Sequence, residues 1–493
     1  MIAARTPSKV RPARPASRVI AAATAVALVF NGVPASLPAH AQTGSNAGIP
    51  LIRDAEIEQL MRDYTAPILK VAGLGNQNVK VVLIDDNSFN AFVMDAHRIF
   101  VNTGALKQAT TPNQMIGVFA HETGHIVGGH LSKMRQELAN VQTAMIIGML
   151  LGAAAMIGGH GNTDMGNVGG AIFTAPQAAA MSSLLSYQRA QEESADRAGV
   201  RFLTMSGQSA KGMYDTFKKF GDDSLFSAHG ANPYAQNHPM PQERIDALAT
   251  FVHNQYWDKK DSPELQFRCD MMRAKLWGFT ERPNVVLAHY PMSDTSLPAR
   301  YARAISAYRY AGLQNSLPQI DSLIAAMPNN PYFYELKGQA LLEGARPAEA
   351  IAPLRRAVQL APDPALIQIL LSQAMVATND PKMAEQAIPL LRDALLKEPE
   401  AADAYTTLAM AYGRKNDLAD ADLASAQAAF ARGDNKTARE LADRAKQRFP
   451  IGSPGWVRAD DIVAYNKNQR SNPLFKFQVN TSSEPPQTTG QPQ

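Results

Sequence analysis

The apolar residues in the first half of the chain predict a mainly helical domain with a small sheet. Between Leu51 and Leu69 they recur at the spacing of one helix face. Lys80–Ile84 is a short β-branched run that predicts a strand, and Asn90–Met94 and Arg98–Val101 predict two more, joined by a polar turn. Such a strand pair presents an edge to which an extended peptide can bind through backbone hydrogen bonds. An ordinary hairpin packed on a helix is the alternative, and both can hold together.

Four more segments predict helices. One begins near Asn113 and includes the apolar stretch Met115–His130. The second covers Tyr187–Leu203, and the third begins near Gln242, after two prolines that favour an extended approach to a helix. The fourth, Glu264–Leu276, lies in a connector between the two halves of the chain.

The most apolar run after the N-terminus is Ala144–Gly159. A helix of that length is about 24 Å long, whereas the hydrocarbon core of a bilayer is about 30 Å thick. We therefore expect a buried or interfacial helix, with a flap that touches a membrane surface as the alternative. The glycine-rich residues Gly158–Gly170 predict a flexible loop, and a loop of this kind near a cleft can act as a lid.

Prolines divide the second half of the chain into helical units. Pro328, Pro362 and Pro399 recur at intervals of 34 and 37 residues, and 34 residues is the period of tetratricopeptide helix pairs. In the unit that ends at Pro362, the aromatic and small-residue positions of that repeat are occupied by Tyr334, Gly338, Ala350 and Ala357. We therefore predict a helical solenoid over residues 297–450, with a non-repeat helical domain as the alternative.

The N-terminus has the features of a secretory signal. Basic residues without an acidic one precede the short apolar core Val19–Phe30, and Ala39-His40-Ala41 is a small-residue cleavage site. An uncleaved anchor is the alternative, but the apolar core is too short to span a bilayer comfortably. Removing residues 1–41 removes five positive charges and takes the formal net charge from +4 to −1. The charge of the mature chain therefore gives no support to nucleic-acid binding.

Candidate metal chemistry lies in His121-Glu122-Thr123-Gly124-His125, an H-E-x-x-H sequence. In a helix, residues four positions apart lie on the same face, so both imidazoles can bind one metal ion. Glu122 lies beside them and can take a proton from a water molecule activated there. Because a pattern with three fixed positions also arises by chance, a further ligand is needed.

The helix Tyr187–Leu203 offers that ligand. Glu192 and Asp196 share a face that continues with the small residue Gly199, where another helix can approach closely. Glu193 and Arg197 form a second pair on a different face and predict an exposed salt bridge. Glu192 is therefore the better third ligand, although a plain surface carboxylate remains an equal alternative. Asp196 can then accept the free ring N–H of a ligand histidine.

These motifs together resemble metallopeptidase family 48, a family of zinc peptidases. The resemblance covers about residues 51–250 and rests on His121–His125, Glu192–Asp196, His238–Pro239 with Arg244–Ile245, and Asn90–Phe92. It implies an α+β zincin-like metallopeptidase domain, followed here by the tetratricopeptide solenoid. The domains are therefore predicted as residues 42–260, 261–296 and 297–450, with a C-terminal tail over residues 451–493 that is disordered at its end.

The resemblance also implies roles for single residues. One zinc ion per chain is bound by His121, His125 and Glu192, with Glu122 as the general base and Asp196 behind the ligands. His238 lies near the metal, where it stabilises the oxyanion or occupies the open coordination position.

The edge strand contributes to the predicted substrate site as well. Asn90, Ala91 and Phe92, together with Arg244, are expected to contact an extended substrate.

The predicted function is that of a zinc endopeptidase of the bacterial periplasm that cleaves misfolded or stalled envelope proteins. The resemblance implies outer-membrane β-barrel proteins and their assembly machinery as partners of the repeat domain. The solenoid contains none of the predicted ligands, so we expect it to be dispensable for the chemistry. A chaperone or adaptor with a closed or silent site is the main alternative, and a non-proteolytic zinc hydrolase is the third.

Overall fold

The computed structural model describes residues 50–139, 163–226 and 233–471. The predicted signal, the apolar run Ala144–Gly159 and the polar C-terminal end lie outside these residues. Within the described ranges, no helix combines the length and the apolar character that a membrane crossing requires.

A four-stranded sheet forms one side of the first domain. Its strands are β1 (Leu51–Ile52), β2 (Lys80–Ile84), β3 (Ala91–Asp95) and β4 (Arg98–Asn102). The order is β1-β2-β4-β3, with β2 and β4 parallel and the other pairs antiparallel. The prediction of β2 is confirmed in its bounds, and β3 and β4 lie within one residue of theirs. β3 is an edge strand, as the predicted peptide edge requires.

Helices complete this domain, in addition to the helical stretch over residues 130–139. They are α1 (Ala55–Val71), α2 (Thr103–Gln108), α3 (Pro112–Gly128), α4 (Thr163–Met205), α5 (Lys211–Phe226), α6 (Pro233–Asn237) and α7 (Gln242–Phe251). The prediction of a loop over Gly158–Gly170 is wrong for residues 163–170, which are helical. Isolated glycines weaken a helix by about 1 kcal/mol each but do not end it.

The helix α3 is the centre of the domain. Thr111 and Gln114 form a capping box at its start, with Pro112 at the first position, and Gly129 ends it in the left-handed conformation at φ 61°. Its apolar side chains, among them Phe119, are buried against α1, α4 and α5. The chain continues as helix over residues 130–139.

The connector contains two helices, α8 (Pro263–Thr280) and α9 (Pro283–His289), where the sequence predicted only one. Pro283 explains the second helix, because proline is favoured at the first helical position. Both helices pack with the start of the repeat domain in one buried cluster.

The second half of the chain is a stack of helices. In order these are α10 (Leu297–Tyr310), α11 (Leu313–Ala326), α12 (Pro331–Glu343), α13 (Pro347–Leu360), α14 (Ala365–Ala377), α15 (Pro381–Lys397), α16 (Ala402–Arg414), α17 (Leu418–Ala431), α18 (Asn435–Arg448) and α19 (Pro454–Ser471). Each packs mainly on its neighbours in sequence. Gly338 allows the close packing of α12 on α13 for which the repeat pattern has a small residue at this position. A Cβ atom at Gly338 would lie 2.2 Å from Leu354. The predicted boundary at Pro450 leaves out α19, whose Ala459 is buried against the preceding helices.

A buried polar cluster joins the two halves. The Lys275 Nζ atom of α8 lies 2.7 Å from Asp54 and 3.2 Å from Glu56, at the start of α1. The Tyr301 hydroxyl of α10 donates to Glu56 at 2.9 Å, and Glu335 of α12 faces the same lysine at 4.0 Å. Residues of the first domain, the connector and the repeats therefore share one buried cluster of polar and ionisable groups.

Candidate metal centre

Two histidines of α3 lie one turn apart and point to the same place. The Nε2 atoms of His121 and His125 are 3.0 Å apart. The His121 ring is fully buried and His125 is 8% exposed. The helical spacing predicted from the sequence is confirmed, because α3 is regular through both positions.

Small residues let α4 cross α3 at close range. A Cβ atom at Gly124 would lie 2.8 Å from the Ala195 carbonyl oxygen, and one at Gly199 would lie 3.2 Å from the backbone nitrogen of His121. This crossing places the Glu192 carboxylate 3.4 Å from the Nε2 atoms of both His121 and His125.

The neighbouring carboxylate of α4 has a different environment. Glu193 accepts from Arg197 on the exposed face of the helix, with both side chains more than half exposed. The choice of Glu192 over Glu193, made from the faces of the helix, agrees with this placement.

His238 follows α6 and completes the cluster. Its Nδ1 atom lies 3.3 Å from His121 Nε2 and 3.2 Å from both oxygens of Glu192. Its Nε2 atom lies 3.4 Å from Glu122 and 3.3 Å from the carbonyl oxygen of Ala91. The structure thus brings together all three predicted ligands, the predicted base and His238.

The donor set fits a metal ion. One ligand atom from each of His121, His125, Glu192 and His238 lies within 4.8 Å of the others. A tetrahedral ion with bonds of about 2.05 Å has donor atoms about 3.3 Å apart. The separations of 3.0 to 3.4 Å match that edge, and imidazole and carboxylate are ligands of such an ion.

A buried ion-pair network supports these donors. Asp196 Oδ1 lies 2.9 Å from Nδ1 of His121, the ring nitrogen that faces away from the cluster. Arg244 donates to both oxygens of Asp196 at 2.7 and 2.8 Å, and its third nitrogen lies 2.8 Å from Glu192. The predicted role of Asp196 agrees with this contact.

The structure places Arg244 behind the candidate ligands and not along β3, and its contact with substrate stays a prediction. Its guanidinium group is almost completely buried between the two carboxylates and also donates to the Pro239 carbonyl. A planar group with several donors fits two adjacent carboxylates better than a solvent-facing strand edge. The other predicted edge residues lie on β3 or next to it: Ala91 lies on β3 with its carbonyl toward His238, and the Asn90 side chain accepts from Asn237 at 3.3 Å. Phe92, also on β3, stacks on Phe100.

The charges within the cluster suit metal binding. Burial alone raises the pKa of Glu192, but the charges of His238 and Arg244 outweigh it and hold this pKa well below its usual range. Burial and the charge of His121 hold the pKa of His125 well below its ordinary value. Burial lowers the pKa of His121, yet Asp196 and Glu192 outweigh this effect and raise it to about 9. Glu192 is therefore anionic and His125 neutral at pH 7, the forms that bind a metal, whereas His121 has a proton to release.

His130 also lies at the site, although no spacing argument singled it out. Its Nδ1 atom is 3.0 Å from Nδ1 of His125, and the residue is buried. The available signal was the pair Gly128-Gly129, which allows the chain to fold back at the end of α3.

A cavity of about 740 Å³ opens beside Glu192 and Arg244. Its remaining wall is largely apolar and includes Leu185, Met240 and Phe251. Space for an apolar side chain therefore lies within reach of the cluster.

Comparison with known proteins places this site in a family. Residues 52–252 match the model of peptidase family M48. The beta-barrel assembly-enhancing protease of Yersinia pestis is 22% identical over 87% of each chain, and that of Escherichia coli (strain K12) is 22% identical over 83% of each. Among solved structures, yeast Tom70 covers 77% of this chain and 85% of its own at 11% identity, with a TM-score of 0.27. The histidine–glutamate cluster lies within the matched range, and this chain therefore carries a domain of peptidase family M48.

Proposed function

We propose that this protein is a zinc-dependent endopeptidase of the bacterial periplasm. The observation that carries the proposal is the buried cluster of His121, His125 and Glu192, with Glu122 beside it, inside a peptidase family M48 domain. One zinc ion per chain fits this donor set, because two imidazoles and one carboxylate leave a fourth position for water or substrate in a catalytic site.

Zinc bound there would supply Lewis acidity, which polarises the scissile carbonyl and acidifies water at the site. Glu122 then accepts a proton from that water and passes it to the leaving amine. Its carboxylate is fully buried, and neither oxygen has a hydrogen-bond partner among the described residues. Burial raises its pKa. A buried carboxylate without hydrogen bonds costs stability, and such groups concentrate at functional sites.

The edge strand β3 supports a protein substrate in extended conformation. It has no neighbouring strand on one side within the described sheet, and Ala91 lies on it next to His238. A peptide that binds along Asn90, Ala91 and Phe92 would form backbone hydrogen bonds with β3 and pass the cluster.

His238 restrains the site in this proposal. Its Nδ1 atom lies among the donor atoms, where it fills the fourth position and competes with water and substrate. The other predicted role of His238 is stabilisation of the oxyanion.

The repeat domain binds protein partners or misfolded clients in this proposal. Stacked helix pairs form extended surfaces suited to other proteins. The relatives that match most of the chain carry the name beta-barrel assembly-enhancing protease. We therefore infer a role in quality control of envelope proteins and contact with the outer-membrane β-barrel assembly machinery. The periplasmic location rests on the predicted signal.

A second candidate function is a chaperone or adaptor whose peptidase site stays closed. The position of His238 within the donor cluster favours it. Glu122 argues against a site without activity, because a scaffold has no use for a buried carboxylate that lacks hydrogen bonds.

Casein cleavage by the purified mature chain tests the proposal. The wild-type protein should cleave casein and stop when a chelator removes the metal, whereas Glu122→Gln should keep its zinc and lose cleavage. Asp215→Asn, which changes an exposed carboxylate of α5 that pairs with Lys211, is the matched control and should cleave as the wild type does. Cleavage by Glu122→Gln at the wild-type rate would refute Glu122 as the base. Inactivity of the wild type and of His238→Ala alike would favour the adaptor.

A further inference from the structure

The end of α3 folds back so that one histidine lies over the last turn of the helix. Gly129 has φ 61°, a left-handed conformation that residues with a Cβ rarely adopt, and its N–H donates to the carbonyls of His125 and Ile126. A Cβ atom at Gly128 would lie 2.2 Å from Nε2 of His130. The two glycines therefore give His130 both the path and the room to return toward His125.

The returning ring contacts the metal-ligand candidate His125 on the side away from the cluster. His130 Nδ1 lies 3.0 Å from His125 Nδ1. The other nitrogen of His125, Nε2, faces His121 Nε2 at 3.0 Å and Glu192 at 3.4 Å. His130 thus reaches the ligand ring without entering the donor cluster.

The hydrogen-bond chemistry of the two rings assigns their tautomers. A neutral imidazole has one N–H donor and one acceptor nitrogen. For Nε2 of His125 to offer a lone pair to a metal, its proton must be on Nδ1. That N–H donates to Nδ1 of His130, whose own proton is then on Nε2. A hydrogen bond at the second ring nitrogen fixes the orientation and tautomer of a ligand histidine.

The surroundings hold His130 in this position. The residue is 5% exposed, and its carbonyl oxygen accepts from the side-chain amide of Gln191 at 3.3 Å, one residue before Glu192. The two candidate histidine ligands are supported differently: His121 by the carboxylate of Asp196, and His125 by a second imidazole.

We propose that His130 is a positioning residue that orients His125 for metal binding through an Nδ1-to-Nδ1 hydrogen bond. The inference rests on the proposed metal site. Its consequence is that the affinity for the metal depends on an acceptor at residue 130, although this residue does not contact the metal. Loss of such a partner typically lowers metal affinity about 10- to 100-fold.

Zinc affinity of two substituted proteins tests this role. In His130→Asn the carboxamide oxygen stands near the place of Nδ1 and can still accept, whereas His130→Leu fills similar space without an acceptor. Competition with a chromophoric chelator measures the Kd for zinc. We expect this Kd to be about 10- to 100-fold higher than that of the wild type in His130→Leu. In His130→Asn it should stay within about threefold of the wild-type value. The d–d spectrum of bound Co²⁺ should change in His130→Leu and stay close to the wild-type spectrum in His130→Asn.

Three results would overturn the inference. If both variants bind zinc as the wild type does, the hydrogen bond has no role in positioning. If both lose affinity equally, together with an equal fall in Tm, His130 only fills space. If the wild-type protein itself binds no zinc, the proposed function fails, and the inference fails with it. The first two results leave the proposed metal site intact.

Discussion

At the scale of single residues, the buried carboxylates of the site have two different environments. Asp196, Arg244 and Glu192 form a chain of short ion pairs behind the donor atoms. Removing one partner of a buried ion pair lowers the stability of the fold by about 3–5 kcal/mol. These ion pairs therefore hold Glu192 and His121 firmly in place. Glu122 lies outside that network, and neither of its carboxylate oxygens has a hydrogen-bond partner among the described residues. The contrast separates the groups that hold the site from the group proposed to transfer a proton.

His238→Ala is expected to raise the rate of casein cleavage. The ring nitrogen Nδ1 lies 3.2 to 3.3 Å from three donor atoms of the cluster, so removing the ring opens the fourth position. We expect an increase of at least severalfold in kcat/KM with zinc still bound. The control is His253→Ala, which removes an exposed histidine whose ring packs against Trp257 at an interplanar angle of 33°. A lower rate in His238→Ala would instead assign the residue to transition-state stabilisation, and an unchanged rate would remove both roles.

The sequence alone was enough to predict which site residues share a face when they lie on the same helix. His121, Glu122 and His125 are related by helical spacing, and Glu192 and Asp196 share a face of α4 for the same reason. Arg244 and His130 could not be assigned in this way, because their positions depend on how separate segments meet in space. A sequence pattern gives the face on which a side chain lies but not the partner that it meets.

At the scale of elements, the crossing of α3 and α4 decides whether a site exists. Gly124→Ala should weaken zinc binding and destabilise the fold, because the added Cβ would lie 2.8 Å from the Ala195 carbonyl and push the helices apart. Overpacking of this kind costs about 1–3 kcal/mol. Chemical denaturation and a zinc competition assay measure both effects.

The matched control is Gly413→Ala, where the Cβ would meet nothing within 4 Å. This variant should be as stable as the wild type or slightly more so, since alanine favours helix over glycine. Wild-type stability and zinc affinity in Gly124→Ala would show that the close approach of the two helices is unimportant.

Elements were predictable to the extent that their signals are local. The strands β2, β3 and β4 have β-branched or aromatic cores bounded by polar turns, and their predicted ends differ from the observed ones by no more than one residue. β1 has only two residues and depends on pairing with β2, so it has no pattern of its own. The helix α9 was missed because its signal is a single proline in an irregular stretch.

At the scale of the whole molecule, the repeat domain and the peptidase domain share a buried cluster of polar and ionisable groups. Lys275 is surrounded by Asp54, Glu56 and Glu335, while Tyr301 donates to Glu56. A repeat domain that is dispensable for chemistry stays a prediction. Removing the repeats would remove Tyr301 and Glu335 from the buried cluster and expose its other members to solvent. The isolated peptidase domain is therefore expected to be less stable than the same domain in the full chain.

A fragment of residues 42–296 should therefore bind zinc but unfold at a lower temperature than the full mature chain. The loss of the Tyr301 hydrogen bond to the buried Glu56 should lower the stability of the remaining domain by about 1–3 kcal/mol. Thermal unfolding followed by circular dichroism measures the difference. Tyr301→Phe in the full chain isolates this contact, with Tyr310→Phe, half-exposed on the same helix, as control. Equal Tm values for the fragment and the full chain would contradict the interface argument.

The same cluster should make stability depend on pH. Burial raises the pKa of Glu335 from about 4.5 to about 8, although Lys275 opposes this. The folded state therefore binds a proton more tightly than the unfolded state. The stability contributed by this group is fully present below about pH 4.5 and is lost as the pH rises through about 8.

Glu335→Gln tests this dependence, because the amide cannot ionise. Between pH 5 and pH 8, the free energy of unfolding should fall more in the wild type than in Glu335→Gln. The difference between the two losses should exceed about 1.4 kcal/mol, the free energy that corresponds to a pKa shift of one unit. Denaturant unfolding at both pH values gives the comparison. Glu349→Gln is the control, since Glu349 is exposed and pairs with Arg346. Parallel losses in wild type and Glu335→Gln would show that this carboxyl does not control stability.

The central claim is that His121, His125 and Glu192 hold one zinc ion, and metal analysis of the purified mature chain tests it most directly. After dialysis against metal-free buffer, the wild type, Glu122→Gln and the exposed control His253→Ala should each contain about one zinc per chain. His125→Ala should contain almost none, because it removes one of two imidazoles whose Nε2 atoms lie 3.0 Å apart at the centre of the cluster. A full equivalent of zinc in His125→Ala, or none in the wild type, would contradict the account.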